Sequence, residues 1–351
     1  MLLIVSIILL SILALLPDAD VDHDAGYTAS ELSIRETVDG SVISTSHVNP
    51  DGVITDAIDM GYATVCRMQD DDDRVVEERY LDANGYPVAR YENFHGLSYE
   101  YDETSTMVTY LDVEGNPIIC SDGYSTIVRT QVDGRAYDDF FYDLNGQQVQ
   151  CSGGYYGLRR GYNAEGQNIS LAFLDKDGHA VRTSSGYAIK TYQRDSEGTV
   201  IGERYFDTEG KPVKSSLGQY GELYQRNEQG YISQITYLDL DGNPAPTNAG
   251  YTILKRTYHR DGTADTDMYF NANGNPKALS KGQYGIKRSG KANILLDRNG
   301  NVMPCVDNLL NGFPCMVVVL GCVVCLLMIA LPKSLSVVRT VVYIAFILYE
   351  N

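Results

Sequence analysis

Two aspartates separated by one residue and followed by glycine occur twice in this sequence. Asp175 and Asp177 precede Gly178, and Asp239 and Asp241 precede Gly242. Such a pattern begins the calcium loop of EF-hand proteins, because hard cations take oxygen ligands. The distal glutamate of that loop is missing, and the same spacing suits a tight turn opened by Asp and closed by Gly. We therefore expect turns and no cofactor, with calcium binding as the alternative.

Other motifs of catalytic sites are incomplete in this chain. Residues 285–292 match most of a phosphate-binding loop, but Ala292 replaces the hydroxyl residue that would hold magnesium. The 5 histidines are scattered and lack the His-Glu-x-x-His spacing of zinc proteases. We expect that the chain is not an enzyme. A catalytic site within residues 18–45 is the alternative, although that segment has no paired nucleophile and base.

Tyrosine is the abundant residue type that could bind a ligand, because the chain contains 27 Tyr and no Trp. Six tyrosines recur shortly after a glycine, namely Tyr124, Tyr155, Tyr187, Tyr220, Tyr251 and Tyr284. Rings at a repeated spacing can form a stripe that stacks on sugars or packs against a protein partner. The alternative is that the rings interlock neighbouring repeats, which their position beside a turn favours.

The glycines that flank these side chains follow a fixed period. From Gly154 to Gly282 their spacing is 12, 12 and 8 residues, and this pattern repeats every 32 residues. A period of this length indicates an array of identical supersecondary units that bury their apolar faces against their neighbours. The pattern continues less regularly on both sides, so residues 47–300 are predicted to form one tandem repeat domain.

The segments between the glycines have the composition of β-strands. Tyr, Ile, Val, Thr and Phe dominate them, as in residues 187–193 and 199–206. Groups such as Asp195 to Gly198 separate the segments and are typical of short hairpin turns. Proline at the start of the eight-residue step, as at Pro212, favours a connector over a central strand. The sequence predicts an all-β fold of 32-residue β-hairpin repeats in an elongated antiparallel array.

Two cysteines occupy equivalent positions in this period, since Cys120 and Cys151 each precede a glycine by three residues. Equivalent positions of adjacent repeats would lie two strands apart, a distance of about 10 Å. That distance is too long for a disulfide. We expect free thiols, with a disulfide between the two in an oxidising environment as the alternative.

Short Tyr-Asp motifs resemble those of a known repeat family. They occur as Tyr-Glu-Tyr-Asp at residues 99–102, Phe-Tyr-Asp-Leu-Asn-Gly at 141–146 and Tyr-Phe-Asp-Thr-Glu-Gly at 205–210. These motifs are similar to the Tyr-Asp repeats, also called YD or Rhs-type repeats, of bacterial surface proteins and teneurins. The resemblance implies β-hairpins and surface exposure. The 32-residue period and the proline after glycine depart from the family pattern, and toxin delivery is not implied.

Both ends of the chain are apolar. Residues 1–16 suit a signal peptide or an N-terminal membrane anchor, and residues 17–46 a divergent linker or capping segment. Residues 313–331 contain no charge, which predicts a transmembrane helix after a juxtamembrane linker at 301–312. Residues 337–351 suggest a second, truncated transmembrane segment. The full prediction is therefore a β-repeat domain followed by one or two C-terminal transmembrane helices.

Charge bears on both topology and partners. Lys333 and Arg339 lie between the two C-terminal apolar segments, so the positive-inside rule places the repeats outside the cytoplasm. The net charge of −18 repels nucleic-acid phosphates, which excludes nucleic acid from the expected partners.

These features predict a membrane-anchored extracytoplasmic protein at the cell surface. We expect it to act as a non-catalytic binding or spacer module, with the membrane and an unidentified cell-envelope glycan or surface protein as partners. The alternative is that the chain is a fragment of a larger polytopic membrane protein, a sensor or a VanZ-like protein, and forms its ectodomain.

Overall fold

The computed structural model describes residues 24–90, 93–289 and 292–304. In this part the chain forms one antiparallel sheet of 18 strands. A single 3-10 turn, Ala29–Glu31, precedes the sheet. The strands are β1 Ser33–Asp39, β2 Val42–Val48, β3 Thr64–Gln69, β4 Val75–Leu81, β5 Gly96–Tyr101, β6 Ser105–Leu111, β7 Thr126–Val132, β8 Arg135–Tyr142, β9 Gly157–Tyr162, β10 Asn168–Leu174, β11 Ile189–Arg194, β12 Val200–Phe206, β13 Gly221–Arg226, β14 Ile232–Leu238, β15 Ile253–Tyr258, β16 Ala264–Phe270, β17 Gly285–Ser289 and β18 Ala292–Leu296. The predicted all-β class is confirmed.

The sheet is a meander, because each strand pairs with the next strand along the chain from β1 to β18. Tight turns join the two strands of each hairpin, as between β3 and β4 or between β5 and β6. Longer connectors join one hairpin to the next. The returning strands β10, β12, β14 and β16 begin at Asn168, Val200, Ile232 and Ala264, at intervals of 32 residues. The hairpin repeat therefore follows the period of the sequence.

The turns have the chemistry that the sequence predicts. In the turn between β11 and β12, the Asp195 Oδ1 atom accepts hydrogen bonds from the backbone nitrogens of Glu197 at 3.0 Å and Thr199 at 2.8 Å. Gly198 closes the turn with a φ of 86°, a conformation that glycine adopts without steric cost. The acidic residue and the glycine thus fix the reversal of the chain.

The connectors also contact one another. The backbone nitrogen of Ser216 donates to the Ser185 carbonyl at 2.7 Å, and that of Asn248 donates to the Leu217 carbonyl at 2.8 Å. Pro212 forms an isolated bridge with Phe206 instead of extending a strand, because proline has no backbone donor for a ladder. Connectors of successive repeats therefore stack on one another at the same end of the strands.

Leucines at the ends of returning strands lie beneath these connectors. Leu111, Leu174, Leu238 and Leu296 are each exposed by 4% or less. Leu174 pairs with Ala180 and Leu238 with Pro244 in isolated bridges to the connector that follows. Packing of strand ends against connectors therefore supplies part of the apolar core of each repeat.

Two of the predicted domain boundaries lie within the residues that the structure describes. The sheet begins at Ser33, inside the segment 17–46 that the sequence predicts to be a linker or cap. The described residues up to Val302 belong to one compact unit, and Met303 begins another.

No helix within residues 24–90, 93–289 and 292–304 is long and apolar enough to span a membrane. The predicted segments 1–16, 313–331 and 337–351 lie outside the described residues, as does most of the predicted juxtamembrane linker.

Candidate functional site

Aromatic rings form a row along one face of the sheet, which we call the aromatic ladder. The returning strands β4, β6, β8, β10 and β12 each contribute one ring, and the connectors before and between these hairpins contribute the others. Centroids of successive rings are 4.3 to 6.0 Å apart. The unbroken row contains Tyr62, Tyr80, Phe94, Tyr110, Tyr124, Phe141, Tyr155, Phe173, Tyr187 and Tyr205. Edge and offset ring contacts at these distances stabilise a fold by about 0.5–1.5 kcal/mol per pair.

Four tyrosines of the predicted binding stripe belong to the ladder. Tyr124, Tyr155 and Tyr187 lie in the unbroken row, and Tyr251 lies in a second row with Tyr237 at 5.4 Å and Tyr269 at 4.8 Å. Tyr124 and Tyr251 are each 8% exposed. The packing of these rings follows the interlocking alternative, and ligand binding by them stays a prediction.

Tyr220 and Tyr284 are placed differently. The Tyr205 backbone nitrogen donates to the Tyr220 carbonyl at 3.0 Å, just as that of Phe173 donates to the Ala188 carbonyl at 2.9 Å. Tyr220 is therefore equivalent to Ala188, and Gln219 takes the position that Tyr187 holds in the ladder. Since adjacent strand residues point to opposite faces, Tyr220 leaves the ladder face. Tyr284 is offset in the same way behind Gln283.

A row of acidic residues runs beside the ladder in every second hairpin. Asp139 lies two residues before Phe141, so both side chains share one face. Its carboxylate accepts two hydrogen bonds from Arg129, at 2.8 and 2.9 Å, and one from Arg160 at 2.7 Å. Burial by itself would raise the pKa of Asp139, but the bonds and charges of the two arginines outweigh it and lower the pKa.

The arrangement recurs four repeats later, where Asp267 binds Arg256 at 2.6 and 2.9 Å and Arg288 at 2.5 Å. Glu78 occupies the same position in β4 and pairs with Arg67 at 2.6 Å. The intervening hairpins carry Val108, Leu171 and Ile235 at this position. The chemical repeat of this face therefore spans two hairpins.

Glu203 is the acid of this row in β12, and its environment differs. It is 9% exposed, and it pairs with Lys190 at 3.2 Å and accepts a hydrogen bond from the Tyr205 hydroxyl at 2.8 Å. Burial opposes the charge on Lys190, but the charge and hydrogen bond of Glu203, together with nearby Tyr192 and Tyr187, outweigh it and raise the pKa of the lysine. Tyr192 and Tyr224 occupy the positions that the two arginines hold at the Asp139 and Asp267 sites, and Lys190 is the cation paired with Glu203.

A second acid faces Glu203 across the strands. Glu222 of β13 pairs directly with Glu203, whereas Leu158 faces Asp139 and Ile286 faces Asp267. Burial, reinforced by the charge of Glu203, raises the pKa of Glu222. A like-charged pair at this position is unfavourable for the fold, since opposed charges of one sign repel.

Gln219 occupies the position at which the aromatic ladder is interrupted, and its side chain contacts the acid pair. Its side-chain Nε2 atom donates to Glu222 at 3.1 Å, and the Tyr224 hydroxyl donates to the same carboxylate at 3.2 Å. We call Lys190, Glu203, Gln219 and Glu222 the ladder gap. Gln219 and Glu222 are not among the residues predicted from the sequence, although both stand out as exceptions when the repeats are aligned.

A polar cavity of about 630 Å³ lies between the segment before β1 and the turns of two late hairpins. Asp24 accepts a hydrogen bond from the Arg260 backbone nitrogen at 2.8 Å. Glu31 pairs with the Arg260 side chain at 2.6 Å. These contacts join the start of the described chain to the turn between β15 and β16.

The aspartates that could bind calcium accept hydrogen bonds within the turns. The Asp175 Oδ1 atom accepts from the backbone nitrogens of Asp177 and His179, each at 2.9 Å. The Asp239 Oδ1 atom accepts from the Asn243 nitrogen at 2.8 Å. Across the described part of the chain, no group of three or more His, Cys, Asp or Glu residues is arranged to hold a metal ion.

Cys120 and Cys151 are unbridged and buried in one apolar cluster with Tyr124 and Phe141. Burial raises the pKa of the Cys120 thiol. A buried thiol with a raised pKa is a poor nucleophile, because the thiolate is the reactive form.

No protein family model matches the chain, and no curated protein matches it. A porin-like protein from Bacteroides uniformis ATCC 8492 is similar to it with a TM-score of 0.27 and 10% identity, over 77% of this chain and 95% of that one. The structure described as TcdB2-TccC3-TEV gives a TM-score of 0.19 and 13% identity, over 79% of this chain and 17% of that one. Scores this low assign no function. The strand array itself shows a tandem antiparallel β-repeat protein.

Proposed function

We propose that this chain is a membrane-anchored extracytoplasmic repeat protein that acts as a non-catalytic binding or spacer module at the cell surface. The observation that carries the proposal is the repeated ladder face, which runs from one hairpin to the next and remains partly open. Tyr110, Tyr155 and Tyr187 keep part of their rings exposed. Partly exposed tyrosines spaced along the sheet suit a partner that also extends along it.

The acids of this face support a non-catalytic role. Asp139 and Asp267 are each held by two arginines. A general acid or base must exchange a proton near the working pH. Because its pKa is lowered, Asp139 stays ionised and is a poor proton donor. These carboxylates serve the packing of the sheet.

Membrane anchoring rests on the apolar segment 313–331 and on the residues that follow it. The Tyr-Asp motifs support exposure at the cell surface through their resemblance to YD-type repeats. The proposed partners are a cell-envelope glycan or a surface protein that binds along the ladder face.

Topology is tested with an epitope tag inserted between Asp133 and Gly134, which form an exposed turn between β7 and β8. Intact cells that express the full chain should bind an antibody against the tag. A tagged cytoplasmic protein serves as the control and should react after lysis alone. Reaction of the Asp133 tag after lysis alone would exclude the extracytoplasmic location.

Binding is tested by retention of the full chain, in detergent, on an insoluble cell-envelope preparation. Tyr187→Ala removes a partly exposed ring of the ladder. Tyr86→Ala is the matched control, since Tyr86 is 69% exposed and makes no described ring contact. Weaker retention of the Tyr187 variant alone supports binding through the ladder. Equal retention of both variants would eliminate the ladder as the binding surface.

A further inference from the structure

We propose that the ladder gap binds a primary ammonium group, as carried by an alkylamine, an amino sugar or a lysine side chain. The inference deepens the proposed binding function and rests on it. Three independent features of the ladder gap lead to this class of ligand: its unbalanced charge, an unsatisfied buried acceptor and the surrounding rings.

Charge is the first feature. At the Asp139 and Asp267 sites, two arginines surround one carboxylate, which gives each site a net positive charge. In the ladder gap, two carboxylates face each other, and Lys190 pairs with one of them, Glu203. One further positive charge would balance the two acids. A cationic group therefore complements this site and would be repelled by the other two.

The amide of Gln219 is the second feature. Gln219 is 3% exposed, and its Nε2 atom is committed to Glu222. Its Oε1 atom is buried, and no described residue provides a hydrogen-bond donor to it. A buried acceptor without a donor costs about 1–3 kcal/mol. A primary ammonium group carries three donors, so it can satisfy both this oxygen and an adjacent carboxylate.

Aromatic rings are the third feature. Tyr187 and Tyr205 stack with centroids 4.3 Å apart at the border of the gap. Tyr237 follows on the other side, opposite Glu222 in the strand pairing. The Lys190 amino group already lies 5.3 Å from the centroid of the Tyr192 ring. Attraction between a cation and a ring face adds about 0.5–2 kcal/mol, which favours an organic ammonium group at this place.

Access to the site is provided by Glu222. Glu203 is 9% exposed, whereas Glu222 is only partly buried. An incoming amine can therefore meet Glu222 from solvent, and the buried Gln219 amide is in hydrogen-bond contact with that carboxylate. Lys190 keeps Glu203 paired, so Glu222 and Gln219 are assigned as the ligand-binding groups.

The test uses calorimetric titration of the full chain in detergent micelles with n-butylammonium chloride, glucosamine hydrochloride and the amide of Nα-acetyl-lysine. N-acetylglucosamine is the neutral comparison. We expect saturable binding of at least one ammonium compound and none of N-acetylglucosamine. Comparison of the three ammonium compounds distinguishes an alkylamine, an amino sugar and a lysine side chain as the source.

Two substitutions place the binding in the ladder gap. Glu222→Leu installs the apolar residue type that equivalent positions already carry at Leu158 and Ile286, so the fold should tolerate it. Gln219→Tyr restores a ring at the interrupted position. Each should lower the affinity at least tenfold. Glu36→Gln is the matched control on the fully exposed strand β1, and its affinity should stay within twofold of the parent chain.

Several results would overturn the inference. These are no heat with any of the three ammonium compounds, unchanged affinity in Glu222→Leu, an equal loss in Glu36→Gln, or equal binding of N-acetylglucosamine. Displacement of n-butylammonium by sodium chloride at equal concentration would also overturn it, by showing a site for inorganic cations. If amine binding fails while the Tyr187-dependent retention on cell envelopes persists, the proposed binding function stands without the ammonium site.

Discussion

Glu203 and Glu222 lie directly opposite each other on β12 and β13. Opposed side chains in an antiparallel pair have their Cβ atoms about 4.5–5.5 Å apart, and like charges at that distance repel. In two equivalent places of the same sheet, Asp139 faces Leu158 and Asp267 faces Ile286. The acid pair is thus a local departure from a regular array, and it coincides with the interruption of the aromatic ladder.

Replacing Glu222 by leucine should stabilise the fold. The substitution removes the repulsion of Glu203 and adds apolar contact, and we expect these gains to exceed the loss of the hydrogen bonds from Gln219 and Tyr224, so that the free energy of unfolding rises by about 1 kcal/mol or less near neutral pH. Urea denaturation followed by circular dichroism measures this change. Glu36→Gln, on the exposed edge strand β1, should leave the value unchanged. A less stable Glu222→Leu chain would contradict the repulsive pairing.

The same acid predicts how stability depends on pH. Because the pKa of Glu222 is raised above its ordinary value of 4.5, the folded chain binds this proton more tightly than the unfolded chain. The contribution of Glu222 to stability should therefore increase as pH falls through the raised pKa toward 4.5 and become constant below that value. The groups that face Glu222 are Glu203 and Tyr205 on β12, Lys190 on β11, Tyr237 on β14, and Gln219 and Tyr224 beside it.

Unfolding free energies of the parent chain and of Glu222→Leu, measured from neutral pH down to about the ordinary glutamate pKa, test this dependence. The advantage of the leucine variant should shrink steadily as the solution becomes more acidic. Groups distant from Glu222 titrate alike in both chains, so the difference reports Glu222 together with its coupling to Glu203. An advantage that is constant or grows on acidification would refute the raised pKa.

Removing the carboxylate of Asp139 should destabilise the chain. Asp139→Asn leaves Arg129 and Arg160 without their shared charge, and we expect a loss of about 2 kcal/mol. The pKa of Asp139 is lowered, so the contribution is present above its ordinary value of 3.8 and is lost as pH falls through the lowered pKa. Chemical denaturation of the parent and variant chains near neutral pH measures the loss.

An exposed ion pair provides the control for that experiment. Lys211 and Glu209 are paired at 2.5 Å, with side chains exposed by 72% and 68%. Glu209→Gln should change stability by less than about 0.5 kcal/mol, because water and salt screen such pairs. Equal effects of Asp139→Asn and Glu209→Gln would show that the two arginines around the buried Asp139 stabilise the fold no more than an exposed ion pair does.

Glycine substitutions test the stacking of the connectors. Gly186 and Gly210 have φ angles of 91° and 76°, so alanine is strained at both positions. A Cβ atom at Gly186 would lie 2.9 Å from the Ser216 nitrogen, whereas one at Gly210 would meet nothing within 4 Å. Gly210→Ala should cost about 1 kcal/mol, and Gly186→Ala should cost more by a further measurable amount in thermal or urea unfolding. Equal costs would argue against close packing between connectors.

The sequence was sufficient to predict the parts of the fold that depend on local chemistry. Asp195 and Gly198 specify a turn by their own side-chain and backbone preferences, and the glycine period repeats that turn along the chain. The alternating hairpins, the connectors and the all-β class follow from these local signals. Long-range register does not, because a shift of one residue moves a side chain to the other face of a strand.

The candidate site depends on that register. Tyr220 resembles Tyr187 in sequence but is equivalent to Ala188, because Gln219 enters the ladder position before it. The pairing of Glu203 with Glu222 is set across a connector, so neither residue indicates the other in the sequence. The burial of the Gln219 Oε1 atom depends on side-chain packing, which the sequence does not reveal. The tyrosine stripe was therefore predictable as a repeated feature, whereas its interruption required the structure.

A crystal structure of the full chain grown with n-butylammonium chloride tests the central claim most directly. The account predicts the ammonium nitrogen within about 2.7–3.2 Å of the Glu222 carboxylate and of the Gln219 Oε1 atom. It also predicts that Glu203 remains opposite Glu222. Absence of the ammonium group from the ladder gap, with the Gln219 oxygen bonded to a protein donor, would contradict the account.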